Sequence, residues 1–157
     1  MLLNFLLKTK IKDWQWKAQS LNPGSLSETD ERKAFGDAGI LKRYGKHYDF
    51  GNGSGDINDP ENLEHYKTNC GDNDFVTADC GLPLSQKNIS NILSLSMFLS
   101  VLSVLKNGGS CIIKRHVSID NAQEIFLLNL FYNSFEQTIA YKPRVNQQSQ
   151  EYYWYWI

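Results

Sequence analysis

The stretch from Asn88 to Leu105 does most to limit what this chain can fold into. It is almost wholly Ile, Leu, Met, Phe, Val and Ser. Ile92, Leu95, Leu99 and Leu102, with their neighbours Met97, Phe98 and Val101, spread over a wide face at helical spacing. Lys106-Asn107-Gly108-Gly109 follows and is expected to end the helix through a left-handed cap. Then comes Ser110-Cys111-Ile112-Ile113-Lys114, which reads as a buried strand with a charge at its C-terminal end. An apolar helix feeding an apolar strand in this way points to a layered α/β domain.

The remaining sequence continues the alternation. Asp74-Phe75-Val76-Thr77-Ala78-Asp79 is a short apolar run ending in a carboxylate, expected as a second buried strand. Ahead of it, Asp59-Pro60-Glu61-Asn62 reads as a helix start, with Asp59 as N-cap and Pro60 in the first helical position. Residues 121–133 are expected as a helix with Ala122, Ile125, Phe126 and Asn129 on one stripe and Leu127, Leu128 and Leu130 beside it. Thr138 to Tyr141 and Tyr152 to Ile157 read as two strands forming an antiparallel pair at one end of the sheet. Upstream, residues 2–10 read as helix, and Trp14 to Leu21 as a short strand stopped by Asn22-Pro23-Gly24-Ser25. Ser25 to Lys33 reads as a polar surface loop, and 34–55 is a glycine-rich stretch ending in Gly51-Asn52-Gly53-Ser54-Gly55. No repeat or linker divides the 157 residues, a length that fits one domain with a core of its own.

The net charge is −1, so no global basic field draws the chain to nucleic acid, and any such contact must come from a local patch. The three cysteines, Cys70, Cys80 and Cys111, are odd in number and form no C-x-x-C pair. A reduced, intracellular setting is expected. His65, Cys70 and Cys80 match none of the familiar zinc spacings. The apolar start, Met1 to Leu7, is too short to span a bilayer. Its lysines follow the apolar run where a signal peptide would place charges first. The segment reads as the end of an amphipathic helix that begins outside the chain, so the domain is expected to be truncated at its front.

Ligands of open α/β sheets bind at the C-terminal ends of the strands. Asp79 and Lys114 stand at such ends. Glu151 stands at the start of the last strand, and an antiparallel last strand returns its start to the same edge. Each charge alone reads as a solvated strand end. Three together beside apolar strands read as a site, because half-buried charges are costly and are usually paired.

These residues carry a family resemblance. Asp79 in Val76-Thr77-Ala78-Asp79-Cys80-Gly81, Lys114 after Gly108-Gly109-Ser110-Cys111-Ile112-Ile113, and Glu151 in Ser149-Gln150-Glu151-Tyr152-Tyr153 resemble the Asp, second Lys and Glu of the Lys-Asp-Lys-Glu tetrad of FtsJ-like methyltransferases. Lys142-Pro143 is similar to the Lys-Pro opening that family's last loop. Gly55-Asp56-Ile57-Asn58-Asp59-Pro60-Glu61-Asn62 resembles a segment of the eukaryotic and large-DNA-virus cap 2'-O-methyltransferases in which the Asp-Ile pair lies against the cofactor. The resemblance runs over roughly residues 14–157. It implies a Rossmann-like, S-adenosylmethionine-dependent methyltransferase sheet with an antiparallel C-terminal strand pair. The family's glycine-rich cofactor loop and first tetrad lysine precede the residues that Met1 to Lys10 resemble, so the chain is expected to be a partial domain without them.

The implied reaction is methyl transfer to an RNA ribose 2'-oxygen, with capped mRNA as the implied partner. Such chemistry must place a weakly nucleophilic hydroxyl against the methyl group and ease loss of its proton. Lys114 is implied to stabilise the 2'-oxygen or to accept its proton. Burial lowers a lysine pKa and neighbouring carboxylates raise it, and the sequence leaves both modes open. Asp79 and Glu151 are implied to orient Lys114, with Asp79 also beside the cofactor. Asp56 and Ile57 are implied cofactor contacts, though Asp56 also suits a turn leading into a helix. Asn88, Ser149 and Lys142 are implied substrate contacts. Asn88 reads more readily as the N-cap of the long helix, and Ser149 also suits a turn. Lys142 and Arg144, with Lys114 and Arg115, are the candidates for a local basic surface, or an ordinary basic rim. The rival reading is an inactive methyltransferase-like module that binds RNA or serves as a scaffold. A nucleotide-dependent oxidoreductase ranks far below, because no G-x-G-x-x-G opens a helix after a strand.

Overall fold

The structure, a computed structural model, describes residues 15–25, 38–80, 87–116, 122–144 and 151–157, with only the backbone of 38–40, 87–91 and 116. The described strands form two sheets. A small parallel pair joins β1 (Ala18–Gln19) to β2 (Tyr48–Asp49). A four-stranded sheet runs in the order β3 (Asn73–Ala78), β4 (Leu105–His116), β6 (Glu151–Trp156), β5 (Thr138–Tyr141). β3 is parallel to β4, whereas β6 is antiparallel to both β4 and β5. Between the strands lie α1 (Ala38–Tyr44), α2 (Pro60–Cys70), α3 (Lys87–Val104) and α4 (Ala122–Ser134). This is the mixed α/β, Rossmann-like architecture expected, with the antiparallel strand pair at its end.

Several local expectations need correction. Among the described residues of the run from Trp14 to Leu21 only two are strand, and Trp16 instead stacks on the His47 ring at 4.1 Å. The glycine-rich stretch hides a helix and a strand, α1 and β2, both too short for hydrophobic periodicity to announce. Asp59 does cap α2 by accepting from the Glu61 N–H, with Pro60 next. β3 is not a buried strand: it has one neighbour among the described residues, and Phe75 is 44% exposed. Gly108 has the positive φ expected, 75°, but it does not cap α3. β4 begins directly at Leu105, and the register with β3 jumps from Asn73–Leu105 to Phe75–Ser110, so 106–109 bulge out of the ladder. The last turn of α3 is capped from outside, by the Asn73 side chain donating to the Val104 carbonyl at 2.7 Å. The helix expected at 2–10 and the loop at 26–33 lie outside the described residues.

The core forms where α3 and α4 cover one face of the four-stranded sheet. Met97, Phe98 and Val101 of α3, Leu127 and Phe131 of α4, Cys111 and Ile113 of β4 and Trp156 of β6 are all buried. Phe98, Phe131 and Trp156 meet edge to face, the packing that aromatic quadrupoles favour. The buried stripe of α4 is therefore Leu127 and Phe131. The stripe expected there, containing Ile125 and Phe126, faces outward. Likewise Ile92, Leu95 and Leu99 stay exposed, while α3 buries Ser94, Met97, Phe98 and Val101. Apolar residues surround both helices, so periodicity alone did not choose the buried side.

Candidate functional site

Strand alternation decides which side chains meet. Neighbouring residues of a strand point to opposite faces. On β4, Cys111 and Ile113 face the helices, so Ile112 and Lys114 face away. On β6, Trp156 and Trp154 pack at the core, so Glu151, Tyr153 and Tyr155 face away. On β3, Val76 and Ala78 border the core, so Asp79, one residue past the strand, falls on the other side. Register completes the cluster: Lys114 pairs with Tyr153, Ala78 with Ile113, and Glu151 with His116. Asp79, Lys114 and Glu151 thus come to one face and one edge of the sheet.

Their contacts are direct. The Lys114 ammonium makes an ion pair with the Asp79 carboxylate and lies 3.5 Å from Glu151 Oε1. Lys114 is only 16% exposed, Glu151 23%, and Asp79 59%, so the cluster opens to solvent on the Asp79 side. Burial pulls the Lys114 pKa down, but the Asp79 hydrogen bond and the surrounding negative charge outweigh it. The net shift is upward from the ordinary lysine value. Lys114 is therefore an ammonium near neutrality. Tyr153 joins the cluster: burial, then Asp79, raise its pKa. Burial and the Asp79 charge push the Cys80 thiol up to about 11, which leaves it an inert neighbour.

The side chain next in sequence does something different. Arg115 points to the helix face, pairs with Glu124, donates to Ser94 Oγ at 2.6 Å and lies over the Phe98 ring. It ties β4 to α3 and α4 and does not belong to a basic surface. Lys142 reaches back to donate to the Glu151 carbonyl at 2.9 Å and sits 4.7 Å from the Tyr152 ring, so it fastens the start of β6. Arg144 is exposed. Asn88 lies in the first turn of α3, not ahead of it as an N-cap would; its side chain, like Ser149, lies outside the described residues.

Asp56 and Ile57 lie in a tightly knit turn between β2 and α2. Gly51, Gly53 and Gly55 all have positive φ. Buried Asn62 holds the turn, donating to Ser54 Oγ and the Asp56 carbonyl and accepting from the Asn52 N–H. Asp56 Oδ1 accepts from the Asn58 N–H at 3.0 Å, the turn role weighed above. Ile57 packs against the core that Ala78 and Cys80 also border. Asn58 Oδ1 is buried with no hydrogen-bond partner among the described residues. Sequence reasoning gave Asn58, Asn62 and Tyr153 no role. Only Tyr153 left a usable signal: it lies two residues from Glu151, on the same face of a strand. His65 and Cys70 do come together, but with Asp49, while Cys80 lies with Asp79 and Lys114.

A family model described as FtsJ-like methyltransferase matches residues 5–157. An uncharacterised protein of Acanthamoeba polyphaga mimivirus is 30% identical over 146 residues, which is 85% of this chain and 18% of that protein. Cap-specific mRNA (nucleoside-2'-O-)-methyltransferase 1 of Mus musculus is 34% identical over 102 residues, 58% of this chain and 12% of the enzyme. The Homo sapiens enzyme of the same name is 33% identical over the same length. The chain spans less than a fifth of each of these relatives.

Proposed function

The chain belongs to the FtsJ-like methyltransferase family, and from that premise we propose that it forms the catalytic rim of an enzyme methylating the 2'-hydroxyl of an RNA ribose, with cap-proximal mRNA as substrate and S-adenosylmethionine as methyl donor. The observation that carries this reading is the Lys114 ammonium held half-buried between Asp79 and Glu151 at the C-terminal edge of the sheet. A ribose hydroxyl that gives up its proton gains negative charge on oxygen. A fixed, poorly hydrated ammonium stabilises that charge without having to reorganise. The upward pKa shift of Lys114 supports an electrostatic role over proton acceptance, since a protonated amine has no lone pair to offer. Asp79 and Glu151 aim the ammonium, and the exposed Asp79 carboxylate leaves the departing proton a path to solvent.

The residues present fit the donor. When bound, S-adenosylmethionine supplies an electrophilic methyl group on a sulfonium. Asp79 offers an exposed carboxylate to that positively charged ligand. Ile57 offers an apolar wall, and the unpartnered Asn58 Oδ1 offers an acceptor to an amino-bearing ring. Asp56, engaged with the Asn58 N–H, shapes the turn that presents them. Lys142 and Ser149 are assigned to the RNA side, with Asn88 at the start of α3. The test is incorporation of labelled methyl into short capped RNA by the full-length protein. Nuclease-resistant label at a cap-proximal ribose supports the reading; label on a base refutes it.

A further inference from the structure

The face of the sheet that carries Lys114 continues beyond it as a row of rings. Register pairs Lys114 with Tyr153, and Tyr153 with Tyr141. Cross-strand partners point to the same face, so the three side chains stand abreast on β4, β6 and β5. Tyr155 lies on that face too, and its ring meets the Tyr141 ring edge to face, centroids 6.2 Å apart. Near the reacting lysine the row is closed in: Lys114 is 16% exposed and Tyr153 half-buried. It opens at β5, the last strand of this sheet among the described residues, where Tyr141 is 48% exposed. β5 ends at Tyr141, and Arg144, just past it, is exposed as well.

We propose that Tyr141 is a stacking platform for single-stranded RNA: resting on the reading of Lys114 given above, its ring takes the base of a nucleotide next to the reacting ribose. Exposed tyrosines are common on edge strands, and what sets this one apart is its place in one row with Lys114. Two inter-strand spacings, ~10 Å, separate Lys114 from Tyr141, which suits the reach from a ribose oxygen to a neighbouring base. A ring offers its π-face to any base, and splayed single strands are commonly held in that way. Charge agrees with this occupant. The nearby carboxylates, Asp79 and Glu151, are both engaged by Lys114, while Arg144 adds an exposed cation for a phosphate. The platform selects an unpaired nucleotide beside the methylated one, with little preference for which base it is.

The full-length protein and short capped RNA test this through two readouts, methyl-transfer kinetics and the anisotropy of a labelled RNA. Tyr141→Ile keeps a β-favouring apolar residue on the strand but removes the π-face. It raises the KM and the dissociation constant for RNA about five- to a hundredfold and leaves kcat within about twofold. Tyr141→Trp stays at or below the parent values. Removing the base at one neighbour of the methylated nucleotide weakens binding to the parent by a similar factor, and weakens Tyr141→Ile hardly further. Unchanged RNA affinity in Tyr141→Ile overturns the platform and leaves the role of Lys114 standing, as does an abasic loss that is just as large in that variant. A protein that transfers no methyl, yet shows the Tyr141→Ile loss and the abasic coupling in anisotropy, keeps the platform and refutes the transfer chemistry instead.

Discussion

Replacing Arg115 with methionine tests whether the two faces of β4 are assigned correctly. The guanidinium and the Glu124 carboxylate are each 13% exposed, and Arg115 also holds Ser94 Oγ and covers Phe98. Methionine keeps the stem that packs on the ring but removes the cation that neutralises Glu124. Breaking a buried pair from one side costs about 3–5 kcal/mol, because the other charge stays buried. The Ser94 bond is lost in the same step and is part of that cost. At about 4 kcal/mol and roughly 2–4 °C per kcal/mol for a domain of this size, the midpoint of thermal unfolding falls by about 10 °C. The double variant Arg115→Met, Glu124→Leu removes both charges and recovers most of the loss. Urea and thermal unfolding of the three proteins measure this. A single variant within about 1 kcal/mol of the parent, or a double variant no better than the single, refutes the internal role of Arg115 and returns it to the basic rim.

Three further substitutions probe the turn that carries Asp56 and Ile57. Although burial opposes it, the Gly51 N–H and His65 hold the Asp49 pKa below its ordinary value of 3.8. Its stabilisation is therefore present above that value and is lost as pH falls through the lower folded one. Asp49→Asn should cost about 1–2 kcal/mol at pH 6 and progressively less on acidification below pH ~4, as urea titrations at each pH will register. A cost that does not change with pH contradicts the assignment. Gly55→Ala should destabilise by more than about 2 kcal/mol, because φ is +66° and a Cβ there meets the Ser20 carbonyl oxygen at 1.9 Å. Gly53→Ala, with φ +102° but open space around it, carries only the backbone strain and should cost less. Equal losses from the two would mean that contact with the β1 segment does not hold this turn.

How much of this was legible in the sequence follows from physics. The cluster was readable because strand ends and strand alternation are both local in sequence: Asp79 and Lys114 close apolar runs, and Glu151 opens one. The α2 cap was readable for the same reason, since Asp-Pro-Glu carries its own hydrogen-bond logic. The buried sides of α3 and α4 were not. Both helices carry apolar residues all round, so only the sheet beneath them selects Phe98 over Leu99 and Leu127 over Phe126. Arg115 was misassigned because a one-residue step along β4 reverses the face, and adjacency to Lys114 was taken as shared orientation. The Asn62-centred turn was beyond reach, since its hydrogen bonds join residues up to ten apart in an irregular segment.

Whether the Lys114 ammonium acts on the reacting ribose oxygen is read from the rate of methyl transfer by Lys114→Ala, measured alongside its affinity for S-adenosylmethionine. The measurement uses the full-length protein and a capped RNA. Removing one fixed electrostatic stabiliser of a transition state costs about a hundred- to a thousandfold in rate, while donor affinity should stay within a few-fold. Lys114→Arg should not restore the rate, because a planar guanidinium does not reproduce a compact ammonium between two carboxylates. A near-normal rate in Lys114→Ala, or a loss explained wholly by weakened donor binding, contradicts the account.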